Sequence, residues 1–191
     1  MNIDLLSISA HKFYGPKGVG AIYIKTGIEL HKLQEGGHQE RDKRAGTENV
    51  PGIVGLGKAA ELACENFYEY IQKSLELREY CIFELEKRIP NIKLNGHRTK
   101  RLPGNINISI EEIIGGELLF ELDNKGICVS SGSACSSSSK DPSHVLLAIG
   151  LSNEMANSAI RITMGEENTK QDVDFLIDTL VETIEKLQRS M

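Results

Sequence analysis

The chain has 191 residues, a formal net charge of −5 at pH 7, 40% hydrophobic and 26% charged residues, which is the composition of an ordinary globular protein with enough length to bury a core. The acidic balance argues against a nucleic-acid or anionic-membrane partner. There is no apolar run near the roughly 20 residues of a membrane span and no secretory signal at the start, so a cytoplasmic location is expected.

Four cysteines are present: Cys64, Cys81, Cys128 and Cys135. They form no CxxC pair and have no histidine at zinc-finger spacing, so no metal site is predicted. A disulfide framework is not expected in a chain of this size without extracellular features. Cys64 and Cys81 fall on a predicted helix and Cys128 on a predicted strand, which places all three in the core. Cys135 stands apart.

The first segment predicts two short strands around a glycine-rich turn. Residues 3–8 are apolar enough for a buried strand, and residues 21–24 form the second strand. Between them lie a polar stretch, 9–12, and the glycine-rich turn, 15–20. Because two short strands cannot shield both faces of a sheet, they are interpreted as the last strands of a larger sheet.

A polar loop over residues 33–51 precedes the longest predicted helical region. Pro51 suits the first position of a helix. Apolar residues from Ile53 to about Ile89 recur at helical spacing, which predicts one long helix or two with a bend, ended by Pro90.

The rest of the chain alternates between short strands and helices. Strands are predicted over residues 92–94, 106–110, 127–129 and 159–164. Helices are predicted over 116–125 (closed by Gly126), over 143–149 (ended by Gly150), and after a capping box formed by Thr169 and Asp172. The fold class is therefore α/β, with a small sheet and packed helices joined by the long helical region to a fragment of something larger.

Lys12 follows the first strand and is a candidate for covalent chemistry. A lysine that attacks a carbonyl must present a neutral amine, which partial burial and neighbouring cations such as His11 and Lys17 would favour. Gly15 and Gly18 let the backbone pass closely under a bulky ligand. The same residues are also typical of the polar end of any strand, so the segment alone leaves both interpretations open.

Cys135 lies within a serine-rich segment, residues 130–140. Small polar side chains cannot anchor such a segment in an apolar core, so it is predicted to be mobile. A solvent-reachable thiolate is nucleophilic and could collect a group at one place and deliver it at another. A serine tract is equally often a plain linker, and the local sequence leaves that possibility open.

Four segments, in order, resemble the motifs of the group I cysteine desulfurases, which belong to the class V aminotransferase family of fold type I pyridoxal-phosphate enzymes. They are residues 9–20 (Ser-Ala-His-Lys-Phe-Tyr-Gly-Pro-Lys-Gly-Val-Gly), 36–49, 130–136 (Ser-Ser-Gly-Ser-Ala-Cys-Ser) and 158–165 (Ser-Ala-Ile-Arg-Ile-Thr-Met-Gly). The resemblance spans nearly the whole chain but about half of the family's length, and it implies that the missing portion precedes Met1.

The resemblance implies the fold of the C-terminal half of such a transferase. Residues 1–68 would be a remnant of the large cofactor-binding domain with the start of the long helix. Residues 69–191 would be a small α+β domain carrying the active-cysteine loop. His38 stands where the family more usually has a third glycine, so the turn there is expected to differ.

The resemblance also implies a cofactor, pyridoxal 5'-phosphate. Lys12 would bind it covalently and later act as general base. Ser9 and His11 would hydrogen-bond its phosphate. Thr47 would reach the phosphate in the partner subunit of a homodimer.

For the substrate, the resemblance implies L-cysteine, with Arg161 holding its carboxylate through a bidentate contact. Cys135 would take the sulfur as a persulfide, releasing L-alanine, and pass it to an iron–sulfur scaffold or another acceptor protein. From its strand position alone, between Ile160 and Ile162, Arg161 is expected to face solvent.

Three other functions remain open at this level. One is selenocysteine lyase, which uses the same chemistry on selenium. Another is a non-catalytic fragment that only binds or dimerises. The third is a phosphate-binding protein using the glycine turn, which is disfavoured because that turn precedes a strand instead of a helix.

Overall fold

The computed structural model describes residues 2–132 and 141–190. The chain divides into two compact units, Met1–Phe67 and Tyr68–Met191. The interpretation of residues 1–68 as the remnant of a large domain and of residues 69–191 as a small α+β domain stays a prediction, because a compact unit does not by itself show what larger domain it belongs to.

The first unit is built on a two-stranded antiparallel ribbon. Strands β1 (Leu5–Ser9) and β2 (Gly20–Ile24) pair in a register that sets Leu5 opposite Ile24 and Ser9 opposite Gly20. Every residue of β1 is exposed, so the prediction of a buried strand is wrong. A strand with a single partner lacks the further strands or helices that would cover its faces.

The predicted long helix is two helices separated at Asn66: α2 (Val50–Glu65) and α3 (Phe67–Arg88). The Asn49 side chain caps α2 by accepting a hydrogen bond from the Gly52 amide at 3.2 Å, and Pro51 occupies the first turn as predicted.

The second unit contains a three-stranded antiparallel sheet in the order β3 (Ile92–Leu94), β4 (Asn105–Ile110), β5 (Ala159–Thr163). Apolar side chains from the sheet, from α3, from α4 (Gly115–Asn124) and from α7 (Lys170–Ser190) form one core. Its fully buried members include Ile82, Leu85, Ile106, Ile108, Ile110, Leu118, Leu122, Ile160, Ile177 and Leu180. Strands β4 and β5 form where the alternation of apolar and polar residues predicted them.

Local capping follows the sequence signals in this unit. The Thr169 amide donates to Asp172 Oδ2 at 2.8 Å and the Asp172 amide donates to Thr169 Oγ1 at 3.4 Å, which confirms the capping box before α7. Gly126 has φ +80°, the left-handed value expected of a glycine that closes α4. The predicted short helix is α5 (His144–Ala148), and one further turn, α6 (Asn153–Asn157), was not predicted.

The predicted strand over residues 127–129 does not form. The chain is extended there but joins the sheet through one bridge, in which Ser130 and Arg161 exchange hydrogen bonds of 3.1 and 2.6 Å between backbone amides and carbonyls. A single bridging pair is too short for a ladder.

Burial separates the three described cysteines. Cys81 is fully buried in the core, as predicted, and burial raises the pKa of its thiol to about 12. Cys64 and Cys128 are exposed, so their assignment to the core is wrong. Cys64 lies away from the buried residues of α2, Gly52 and Ala59, and Cys128 lies in the segment that fails to form a strand.

These differences predict a clear order of thiol reactivity. At pH 8 in the native chain, iodoacetamide should label Cys64 and Cys128 readily. Cys81 should be labelled only after denaturation, because its thiol is buried away from the reagent and burial raises its pKa, which disfavours the thiolate. Peptide mass mapping before and after addition of urea measures this. Fast native labelling of Cys81 would contradict the described core.

None of the helices described within residues 2–132 and 141–190 combines the length and the apolar character needed to cross a lipid bilayer.

Candidate active site

Lys12 lies on a short turn that is fixed at both ends. A 3₁₀ helix (Ala10–Phe13) follows β1 directly. Ala10 is completely buried, its amide donates to the Val19 carbonyl at 3.1 Å, and its carbonyl accepts from the Gly15 amide at 2.9 Å. These two bonds close the turn on itself, so the backbone that carries Lys12 has little freedom.

Two glycines allow the close contacts that hold this turn. A Cβ at Gly15 would lie 2.8 Å from the Ala10 Cβ, closer than side-chain carbons approach. In α2, a Cβ at Gly55 would lie 2.5 Å from Pro16 Cγ, so helix and turn pack together because residue 55 has no side chain. The first turns of α2 thus support the Lys12 turn.

The predicted cofactor-binding side chains are exposed in the first unit. Ser9, His11, Lys12 and Thr47 all present their side chains to the surface, although a partly buried lysine was expected. Lys12 shares this exposure with β1, every residue of which is exposed. Within the described part of the chain, these four side chains take no part in a hydrogen bond or ion pair. An unengaged amine together with hydroxyl and imidazole donors is a donor set that fits an aldehyde carrying a phosphate.

Thr47 ends a loop formed by residues 36–47. The two limbs of this loop, before and after the turn at residues 39–42, are held against each other. The Gly46 amide donates to Gln39 Oε1 at 3.1 Å. Gly36, at φ +144°, approaches Ala45 so closely that its Cβ would lie 3.0 Å from the Ala45 Cβ. Ala45 is buried. The backbone immediately before Thr47 is therefore fixed.

The tip of this loop has an unusual backbone. In the single turn α1 (Gln39–Asp42), three consecutive residues lie in the left-handed region: Glu40 at φ +50°, Arg41 at φ +55° and Asp42 at φ +61°. Each costs roughly 1–2 kcal/mol when the residue is not glycine. Such a conformation persists only where surrounding contacts hold it.

Asp42 supplies contacts of that kind. Its Oδ1 accepts from Lys32 Nζ at 2.9 Å and lies 3.0 Å from His38 Nδ1. The Lys32 ammonium, and after it His38, hold the pKa of the Asp42 carboxyl below its ordinary value. Asp42 raises the pKa of Lys32 in return, and Glu35 adds to that effect at 3.6 Å. Sequence reasoning missed this cluster, since no motif relates Lys32 to Asp42.

Arg161 belongs to the second unit. It lies on β5 opposite Asn107 and is partly buried, while its neighbours Ile160 and Ile162 point into the core. The alternation predicted from sequence is confirmed. Its backbone also holds Ser130, so Arg161 is fixed beside the start of the serine-rich segment.

Cys135 falls within residues 133–140, outside the described residues, and both its predicted reactivity and the predicted mobility of its segment stay predictions. A cavity of about 780 Å³ in the second unit is lined by apolar residues such as Ile113 and Met155 and by acidic residues such as Glu111 and Glu154. It contains none of the predicted site residues that the structure describes.

Residues 1–176 match the family model described as aminotransferase class-V. The chain belongs to the class-V aminotransferase family. The chain is 55% identical over 188 residues to the protein named cysteine desulfurase IscS of Dictyoglomus turgidum, and the match covers 98% of this chain and 48% of that protein.

Solved structures are similar to this chain as well. A NifS-like protein from Rickettsia africae superposes with a TM-score of 0.86 at 32% identity, covering 96% of this chain and 48% of that one. A protein named SspA, solved in complex with cysteine, superposes with a TM-score of 0.58 at 35% identity over 85% of this chain and 44% of that one.

The predicted resemblance to cysteine desulfurases of the class-V family is therefore confirmed, as is the predicted fold class of a partial α/β transferase of this family. The chain spans about half the length of the class-V relatives it matches.

Proposed function

We propose that this chain provides the lysine, the substrate arginine and the sulfur-accepting thiol of a pyridoxal-phosphate-dependent cysteine desulfurase. The observation that supports this most strongly is the Lys12 turn. A rigid backbone presents an unengaged amine next to unengaged Ser9 and His11, in a chain that matches proteins named cysteine desulfurase over almost all its length.

The cofactor would be held by residues of the first unit. Lys12 would bind its aldehyde, Ser9 and His11 would donate hydrogen bonds to its phosphate, and Thr47 would do so for the partner subunit of a homodimer. When bound, pyridoxal 5'-phosphate supplies an electron sink that weakens the bonds at the substrate's α-carbon.

The substrate would be oriented by Arg161 and deprotonated by Lys12. A guanidinium can grip the carboxylate of L-cysteine through two parallel hydrogen bonds, which fixes the amino acid in one orientation. The Lys12 amine would act as the general base that moves the proton at the α-carbon, a task that needs the defined position given by the closed turn.

Cys135 would receive the sulfur. Its Sγ attacks the substrate's sulfur, the substrate's C–S bond breaks, and protonation of the carbon skeleton gives L-alanine. The sulfur remains on the protein as a persulfide, to be delivered to an iron–sulfur scaffold or another acceptor protein. Exposure of this thiol would serve both collection and delivery.

The proposal is tested by complementation. The 191-residue chain alone is expected to form no alanine from L-cysteine. Co-production with a polypeptide corresponding to the unmatched half of a class-V relative should give alanine and protein-bound persulfide. The cofactor contacts of Ser9 and His11 are expected to need that second polypeptide. The exposed β1–β2 ribbon is expected to need it as well.

Cys135→Ser should remove the persulfide and at least about 99% of alanine formation, as expected for loss of a catalytic nucleophile. Cys64→Ser and Cys128→Ser are the control variants, because these thiols are exposed and lie outside the serine-rich segment. Turnover by the uncomplemented chain would contradict the first expectation. Full activity of the Cys135→Ser variant in the complemented assembly would refute the assigned role of the thiol.

A further inference from the structure

We infer that Asp42 is a positioning residue for the phosphate contact of Thr47, acting through the strained turn at the tip of their shared loop. This inference rests on the proposed function, because it concerns how the chain prepares a cofactor contact. Asp42 itself does not touch the cofactor in this proposal.

Two contacts and the burial of Ala45 fix the two limbs of the loop near Thr47. The Gln39 side chain accepts the Gly46 amide, Gly36 lies against Ala45, and Ala45 is buried. The bond from Gln39 is the one that spans the limbs next to Thr47. Gln39 is also the first residue of the left-handed turn, so any change in that turn moves the acceptor of this bond.

Asp42 holds the far end of the same turn. Its carboxylate is hydrogen-bonded to Lys32, which precedes the loop in sequence, and to His38, the residue immediately before the turn. Its amide donates to the His38 carbonyl at 3.2 Å. Two side-chain partners and one backbone bond therefore oppose the return of three non-glycine residues to right-handed conformations.

Loss of the Asp42 carboxylate is expected to affect Thr47 through Gln39 and the Gly46 amide. Without the Asp42 carboxylate, the turn can relax, Gln39 shifts, and the Gly46 amide loses its acceptor. The hydroxyl of Thr47, one residue further on, would then have no fixed direction. A hydrogen bond to a charged phosphate depends on direction and distance, so cofactor affinity should fall.

The experiment measures the dissociation constant of pyridoxal 5'-phosphate by absorbance titration of the complemented assembly. Asp42→Ala should raise that constant about tenfold, the size expected for loss of one hydrogen bond to a charged group. Thr47→Ala should do the same. The double variant should be no weaker than Thr47→Ala alone, since both substitutions remove one contact.

Two further variants test whether the effect comes from the backbone conformation at residue 42 or from the loss of any ion pair in the first unit. Asp42→Gly should lose less affinity than Asp42→Ala, because glycine adopts left-handed backbone freely. Glu61→Ala removes another exposed ion pair of the first unit, with Lys58, and should leave affinity unchanged. Hydrogen exchange of the 191-residue chain gives a cofactor-free readout: Asp42→Ala should speed exchange at residues 42–46 and leave the β1–β2 ladder protected.

The outcomes distinguish a failure of the role inferred for Asp42 from a failure of the proposed function on which it rests. If Thr47→Ala weakens binding but Asp42→Ala does not, or if the two losses add, the inference is overturned while the proposed function stands. Unchanged exchange at residues 42–46 would overturn it as well. Absence of cofactor binding by the unsubstituted assembly would overturn the proposed function, and the inference with it.

Discussion

Replacement of Lys12 by alanine is expected to abolish stoichiometric labelling by pyridoxal 5'-phosphate and borohydride. In the unsubstituted complemented assembly, borohydride reduction at equimolar cofactor should place the label on the peptide that contains Lys12. The physical reason is position: backbone bonds at Ala10 close the turn that carries Lys12, and Ser9 and His11 flank Ala10, so their donors would hold the phosphate while the aldehyde reacts. A random surface lysine offers the amine alone.

The control is Lys25→Ala. Lys25 follows β2 in the same unit and is also exposed, but it is outside the 3₁₀ turn and forms an ion pair with Asp4 at 3.1 Å. Its replacement should leave the label on Lys12 unchanged. Peptide mapping by mass spectrometry reads both results. Label spread evenly over surface lysines in the complemented assembly, with no loss in the Lys12→Ala variant, would remove the basis of the cofactor assignment.

Leu118→Ala should destabilise the second unit by about 3 kcal/mol, within the usual range for a large-to-small change in a core. Leu118 is fully buried on α4 and belongs to the cluster that joins the sheet to α3 and α7. Because whole domains are stable by only about 5–15 kcal/mol, this loss should lower the urea midpoint markedly. Far-UV circular dichroism during urea titration measures the shift.

Phe120→Ala is the comparison variant. It removes a larger side chain two residues along the same helix, but Phe120 is 65% exposed. Its effect on unfolding free energy should stay within about 0.5 kcal/mol, as for most surface substitutions. Equal destabilisation by the two variants would show that α4 does not pack through the face described here.

Local signals in the sequence were sufficient for most elements. The capping box of Thr169 and Asp172 satisfies backbone amides at the start of α7, and the glycine after α4 supplies the left-handed residue that ends that helix. The proline in the first turn of α2 has no amide hydrogen that would need a partner there. Each of these signals acts through residues close in sequence. The alternation of Ile160, Arg161 and Ile162 assigned the two faces of β5 for the same reason.

Burial was predicted less well, because it depends on which surfaces meet. Cys128 lies between two apolar residues, Ile127 and Val129, yet it is exposed, while Cys81 is buried in the core. The apolar residues of β1 predicted a covered strand, and the described structure gives that strand one partner only. Composition reports that a side chain prefers burial, and only packing decides whether a covering surface exists.

The candidate site divides in the same way. The sequence by itself determined the family and the residues that carry its chemistry, because motifs such as Ser9 to Gly20 fix chemical groups at fixed spacing. Only the tertiary structure decided how the Thr47 loop is held: the Asp42 contacts with Lys32 and the left-handed turn depend on a chain reversal over ten residues. Contacts made by such a reversal leave no periodic trace in the sequence.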